Sequence, residues 1–296
     1  MAVESDRPLD VSSYEVFQGV TLSFINAHSS SFVKNGDSGD FLQILHAREG
    51  RAEWEEEGSF CFLSPGDIAI RGCNDDSLLL DFPLEHFHGL SILFDLDKAP
   101  KCFSCILEDV RVKPLEIRRR FSPDSRSFIA RSDEHITHLF SELYSMDEEY
   151  RIPYFKVKVL ELLIFLMAFR RDREDDRRIP RAQVDNAKAI ASYLSSHLSE
   201  RTTLSELSRL FASSPTSIKS SFKKVYGISV YSFAKKVKME EAARRLRETD
   251  LTITDIASSF GYENSSKFAA AFQSVIGRSP SEYRKVLSDP NDVSLE

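Results

Sequence analysis

The sequence predicts a multi-domain α+β chain, with an antiparallel β-rich first part followed by helices and an all-α last third. Three observations carry this. Apolar residues alternate with period two from Tyr14 to about Leu96, helical periodicity then takes over, and a helical pattern near Leu204 returns near Ile253. At 296 residues, 42% hydrophobic and 29% charged, the chain has ample material for buried cores and is neither collagen-like nor of low complexity.

The strand signals come first. Tyr14, Val16, Val20, Leu22 and Phe24 share one face of an extended segment. The same alternation recurs at Leu42 and Ile44, Phe60 and Phe62, Ile68 and Ile70, Leu78 to Phe82, and Leu90 to Leu96. Turn residues separate these runs at Lys34-Asn35-Gly36-Asp37, Glu49-Gly50, Ser64-Pro65-Gly66-Asp67 and Asn74-Asp75-Asp76. Many short strands so spaced predict an antiparallel sandwich or barrel.

Helices follow. Ile136, Leu139, Phe140 and Leu143 have helical spacing behind a candidate Ser132 cap. The stretch from Tyr154 to Phe169 is apolar nearly all round, so it must be covered on more than one side, and a homodimer contact is one way to cover it. The mixed-charge run ending at Pro180 and Arg181 reads as a solvated connection. The resulting division is 1–112 for the β-rich part, 113–172 helical, 173–183 linker, 184–288 the all-α domain and 289–296 an acidic tail.

Charge divides the same way. Residues 1–183 carry 23 Lys and Arg against 33 Asp and Glu, whereas residues 184–288 carry 16 against 10, within a net charge of -7. A basic last third on an acidic chain predicts a polyanionic partner for that third alone. The apolar run from Val159 to Arg170 is too short to span a bilayer, and the acidic start MAVESDRPLD lacks the features of a secretion signal. A soluble cytoplasmic protein with no membrane partner is the expectation. Cys61, Cys73, Cys102 and Cys105 are too few for a disulfide framework, and Cys102-x-x-Cys105 lacks a second ligand pair, so no redox or metal role is assigned to it.

The internal repeat is the most informative feature. Leu204, Leu207, Phe211 and Ala212 recur 49 residues on as Ile253, Ile256, Phe260 and Gly261, and Ile218, Phe222, Val225 and Gly227 recur 50 residues on as Phe268, Phe272, Val275 and Gly277. The second copy therefore has one more residue in its turn. Each copy reads as helix, small-residue turn, helix, stopped by glycine, which is the helix-turn-helix arrangement. A long helix through Phe233, Val237, Ala243 and Leu246 joins them, and two groove-reading helices must sit roughly 34 Å apart to enter successive major grooves. With the apolar positions inward, the first unit presents Thr216, Ser217, Lys219, Ser220, Lys223 and Lys224 to double-stranded DNA, and the second presents Ser265, Ser266, Lys267 and Ala270. Lys219 suits guanine acceptors and the terminal lysines suit phosphate, whereas Ala270 offers little beyond a thymine-methyl contact.

Over roughly residues 185–285, Asp255-Ile256-Ala257, Gly261-Tyr262, Phe268, Phe272, Gly277, Pro280 and Tyr283-Arg284 resemble the signature of the AraC/XylS family of bacterial transcription regulators. Ala242-Ala243-Arg244-Arg245-Leu246 fits as well, while Ala270 and Ser208 depart from the commoner residues. The resemblance implies a sequence-specific regulator with two DNA-reading units, usually an activator that contacts RNA polymerase. A repressor or a ligand-independent regulator is the variant reading. It also implies an N-terminal cupin-like barrel, for which Leu63-Ser64-Pro65-Gly66-Asp67 is the matching turn.

A small-molecule effector inside that barrel would meet Trp54, Phe60, Phe62, His86 and His88. The reading from another class is a cupin-type metal enzyme fused to a DNA-binding domain. His86 and His88 would share a strand face and His46 lies on another strand, but the His-x-His…Glu…His pattern is not completed after His88. The expectation is a protein that is not an enzyme, with no cofactor and no metal.

Overall fold

The computed structural model describes residues 9–103, 112–170, 178–200 and 202–288. Cys105, the arginines at 171–177 and the acidic tail 289–296 lie outside them. The chain divides into two compact units between Pro180 and Arg181.

The N-terminal unit contains β1 (Leu9–Phe17), β2 (Val20–Ala27), β3 (Ser31–Lys34), β4 (Ser38–Gly50), β5 (Ala52–Glu56), β6 (Ser59–Leu63), β7 (Ile68–Asp75), β8 (Leu78–Asp81) and β9 (Phe87–Asp95). After these come α1 (Pro114–Phe121), β10 (Phe128–Ala130), α2 (Glu134–Ser141), α3 (Arg151–Ala168) and β11 (Ile179–Pro180). The strands form two separate antiparallel sheets, one ordered β1-β2-β9-β4-β7-β10 and the other β11-β6-β5-β8-β3. Both are open. The expectation of a closed cupin-like barrel is therefore corrected: neither sheet's edge strands pair with the other sheet, so no continuous ladder runs round the unit as closure requires. Period-two alternation is common to barrels and face-packed sheets and cannot separate them.

The six-stranded sheet is covered on both faces. Leu22, Leu42, Ile44, Leu90, Ile92 and Phe94 point into a large apolar cluster with Ile117 of α1, Phe140 of α2 and Phe155, Val159, Leu162 and Leu166 of α3. On the opposite face Ile25, Leu45, Ala69 and Phe87 meet Trp54, Cys61, Leu63, Leu78 and Leu80 of the second sheet. The Pro65-Gly66-Asp67 turn is fixed by buried Asp67, whose carboxylate accepts from Ser64 N at 3.0 Å, from Ser132 N at 3.1 Å and from the Arg131 guanidinium. Gly66 stands at φ +82°. The cap of α2 is Asp133 rather than Ser132, its side chain accepting from Ile136 N at 2.8 Å.

Helix α3 buries one side only. Lys158, 5% exposed, is neutralised by Glu142 at 2.8 Å and Glu161 at 2.9 Å, while Val157 and Ile164 on the other side are 60% and 38% exposed. No helix among the described residues is long and apolar enough to cross a membrane.

The C-terminal unit is all helical: α4 (Arg181–Ser196), α5 (Leu204–Leu210), α6 (Pro215–Tyr226), α7 (Val230–Glu248), α8 (Ile253–Ser259), α9 (Ser265–Ile276) and α10 (Pro280–Ser288). Ile179 and Pro180 pair with Phe60 and Ser59 of β6, so the second half of the anticipated linker is an edge strand and the start of α4.

Candidate nucleic-acid interface

The local sequence explains why each helix pair forms. Thr203 caps α5 in a reciprocal capping box with Glu206, and Ser214 caps α6 by accepting from Ser217 N. In the second pair Thr252 accepts from Asp255 N, and Asn264 accepts from Ser266 N and Lys267 N. Gly227 and Gly277 end α6 and α9 in the left-handed region, at φ +76° and +85°.

The turns match as the repeat predicts. Segment 211–214 joins α5 to α6, and the one-residue-longer segment 260–264 joins α8 to α9. Ala212 (φ +47°) and Gly261 (φ +77°) occupy equivalent positions, so the first copy places a side-chain-bearing residue where the backbone favours glycine. Ser208 contributes to the first turn directly, donating from Oγ to the Ser213 carbonyl at 2.7 Å.

Each copy is anchored by its second helix. Ile218, Phe222 and Val225 of α6 are buried, as are Phe268 and Phe272 of α9, the latter two in a cluster with Met239, Ala242 and Leu246 of α7 and Ile256 of α8. Side chains on α7 hold the second turn as well. Arg245 lies 4.7 Å over the Phe260 ring and donates to Ser259 Oγ at 3.0 Å. Glu241 orients Arg244 and Arg245, and their hydrogen bonds draw its carboxyl down to about 2. Lys238 donates to the Glu200 carbonyl at 2.9 Å, and burial lowers its ammonium below the usual lysine range. With 19 residues at 1.5 Å each, α7 is about 28 Å long.

All ten residues assigned to the DNA face are exposed: Thr216, Ser217, Lys219, Ser220, Lys223 and Lys224 on α6, and Ser265, Ser266, Lys267 and Ala270 on α9. Gln273, one turn beyond Ala270, is also exposed and was missed. Its signal was the spacing from Ala270, and its amide offers the paired donor and acceptor that adenine requires.

The residues expected to meet an effector do not gather. Trp54 is 5% exposed in the inter-sheet cluster, with Nε1 donating to Glu56 at 2.9 Å. Phe60 and Phe62 are buried but absent from that cluster, and His86 and His88 lie at a sheet end beside His28. None of the five lines the cavity of about 390 Å³ bounded by Ser13, Thr21, Ser23, Ile25, Phe32, Gln43, Leu78, Ser91 and Leu93. Gln43 Nε2 donates to Ser91 Oγ at 3.1 Å there, leaving buried Gln43 Oε1 with no partner among the described residues. His46 is elsewhere, stacked on Phe140 with centroids 4.2 Å apart and with Nδ1 2.9 Å from the Tyr144 hydroxyl. Burial holds its imidazole down to about 4.

The family model described as a helix-turn-helix domain matches residues 207–286. The uncharacterized HTH-type transcriptional regulator YdiP of Escherichia coli K12 is 38% identical over 98 residues, covering 33% of this chain and 32% of that protein. YisR of Bacillus subtilis 168, also an uncharacterized HTH-type transcriptional regulator, is 32% identical over 111 residues, covering 38% of this chain and 39% of that protein. The chain thus spans 32% to 39% of the length of these curated relatives. The crystal structure of a probable AraC family transcriptional regulator from Rhodopseudomonas palustris aligns with 35% of this chain and 97% of that one, at 27% identity and a TM-score of 0.33. The C-terminal region is therefore a helix-turn-helix domain of the kind found in transcriptional regulators. The expected AraC/XylS architecture is thus corrected: the C-terminal region matches a helix-turn-helix domain, and the N-terminal sheets do not close into a barrel.

Proposed function

We propose that the chain is a sequence-specific DNA-binding transcriptional regulator that acts as an activator through contact with RNA polymerase. The observation that carries the reading is the pair of capped, glycine-terminated helices α6 and α9, each with its apolar side buried and its polar side exposed. Lys219, Thr216, Ser220 and Gln273 read base edges, Lys223 and Lys224 neutralise phosphate, and the α9 serines dock on the backbone. The 296-residue chain incubated with a random duplex library selects a defined motif, with affinity falling steeply as salt rises. Lys219→Ala relaxes preference at one base step by about 1–3 kcal/mol. Equal loss on all sequences makes Lys219 a phosphate contact, and a flat salt response refutes the reading.

A small polar effector in the inter-sheet cavity tunes this binding. Gln43 Oε1, which has no partner among the described residues, lies beside Ser13, Thr21, Ser23 and Ser91 and supports that site, because a buried acceptor without a donor costs about 1–3 kcal/mol that a ligand can recover. Effector binding shifts the population of DNA-competent forms. The exposed Val157–Ile164 side of α3 supports a homodimer, which Ile164→Glu converts to monomer in light scattering; an unchanged mass rules that contact out.

A further inference from the structure

Three histidines meet at one end of the six-stranded sheet. β2 and β9 pair antiparallel with Ala27 opposite Phe87 and Asn26 opposite His88, so His28, one residue beyond β2, falls opposite His86. On the other side of β9 the register with β4 skips between Ala47 and Glu49, placing Glu49 opposite His88 and Gly50 opposite Phe87. The skip acts as a bulge that re-aims a side chain: without it Arg48 would stand against His88. Gly50 makes the approach possible, since a Cβ there would lie 2.0 Å from the His86 carbonyl oxygen.

The ring nitrogens are arranged in two sets. His28 Nδ1 is 3.4 Å from His86 Nδ1, and His28 Nε2 is 3.4 Å from His88 Nε2. The opposite nitrogens, His86 Nε2 and His88 Nδ1, each lie 3.7 Å from Glu49 Oε2, while Glu49 Oε1 faces Arg48 Nε at 3.4 Å. One candidate ligand atom from each histidine falls within 4.8 Å of the others.

The spacing is long for a hydrogen bond, whose N···acceptor distance is usually about 2.7–3.2 Å. His28 can give one ion only one of its nitrogens, so one of the two separations matches the edge of a tetrahedron around an ion with bonds of about 2.0–2.1 Å to nitrogen, which is about 3.4 Å, and the third ring closes in from within 4.8 Å. Imidazole donors suit late first-row cations. Glu49 places a carboxylate oxygen 3.7 Å from each nitrogen that faces away from the ion, an ion-pair distance at which its charge favours cation-bound rings, and Arg48 lies behind it. We propose that His28, His86 and His88 form a site for one divalent cation of the zinc class, oriented by Glu49 and left with an open position toward solvent. His86 is 37% exposed at its side chain and His88 12%, so the ion has a way in and the rings stay fixed.

The test uses the full chain without a polyhistidine tag, stripped by chelator, with Co²⁺ and then Zn²⁺ as probes and no DNA present. The expected result is one Co²⁺ per chain with visible d–d absorption, displaced by Zn²⁺. The signal vanishes in His28→Ala/His88→Ala and persists in His46→Gln. Glu49→Gln keeps the fold and weakens the ion 10–100-fold. Trp54 emission verifies folding of each variant, and the Glu49 substitution decides the matter if the double variant unfolds. Absence of stoichiometric uptake, or uptake unchanged by these substitutions, overturns the site. Because DNA takes no part, that failure would leave the regulator reading intact.

Discussion

The buried His46 makes the N-terminal unit acid-sensitive by a calculable amount. Its imidazole is stacked on Phe140 and held near 4 by burial, whereas in an unfolded chain it titrates near 6.5. Below pH 6.5 the unfolded chain binds a proton here that the folded chain refuses, so stability falls with pH until about pH 4. The full difference is about 3 kcal/mol, of which about 2 kcal/mol is lost between pH 7 and pH 5. Trp54, the single tryptophan, is buried in this unit and reports its unfolding alone. Urea melts followed by Trp54 emission at the two pH values, for the parent and for His46→Gln, isolate the contribution, since other titrating groups are common to both proteins. The parent should lose about 2 kcal/mol more than the variant. Equal losses in the two proteins would refute the assignment of the acid response to His46.

Three further outcomes follow from the geometry. Ala212→Gly relieves a left-handed alanine worth about 1–2 kcal/mol, against a chain-entropy cost of about 0.4–1 kcal/mol, so hydrogen exchange of α5 and α6 amides should slow to match a gain of about 0.5–1 kcal/mol. Thr203→Ala removes the α5 capping box and costs about 1 kcal/mol, seen as faster exchange at Glu206 N. Asp67→Asn breaks the pair with Arg131, which is 29% exposed and so still reached by water, and lowers the urea stability read at Trp54 by about 2 kcal/mol.

Much of the C-terminal unit was legible because its signals are local. The 3.6-residue periodicity and the stops at Gly227 and Gly277 lie within a turn or two of what they control, as do the caps at Thr203, Ser214 and Thr252, which the repeat alone did not single out. The N-terminal unit depends on partners far apart in sequence. Leu22, Ile44 and Ile92 announce an apolar stripe, but nothing local says that helices rather than a second sheet cover it. The opposite face carries Thr21, Ser23, Gln43 and Ser91, small or polar residues that no apolar alternation marks, and they border a cavity. His28 was invisible for a related reason: only the β2–β9 register brings it beside residues 58 and 60 positions away.

The unequal turns mean that the two halves of the duplication cannot be exchanged like spare parts. A chimaera carrying the four-residue connection 211–214 in place of 260–264 would come up one Cα–Cα step short, about 3.8 Å. Helix α9 could absorb that only by sliding or by unwinding through about 100°, which would drag Phe268 and Phe272 out of their sockets and swing Ser266 and Lys267 away from where they now face. Sister modules born alike have thus become handed to their own places in the chain.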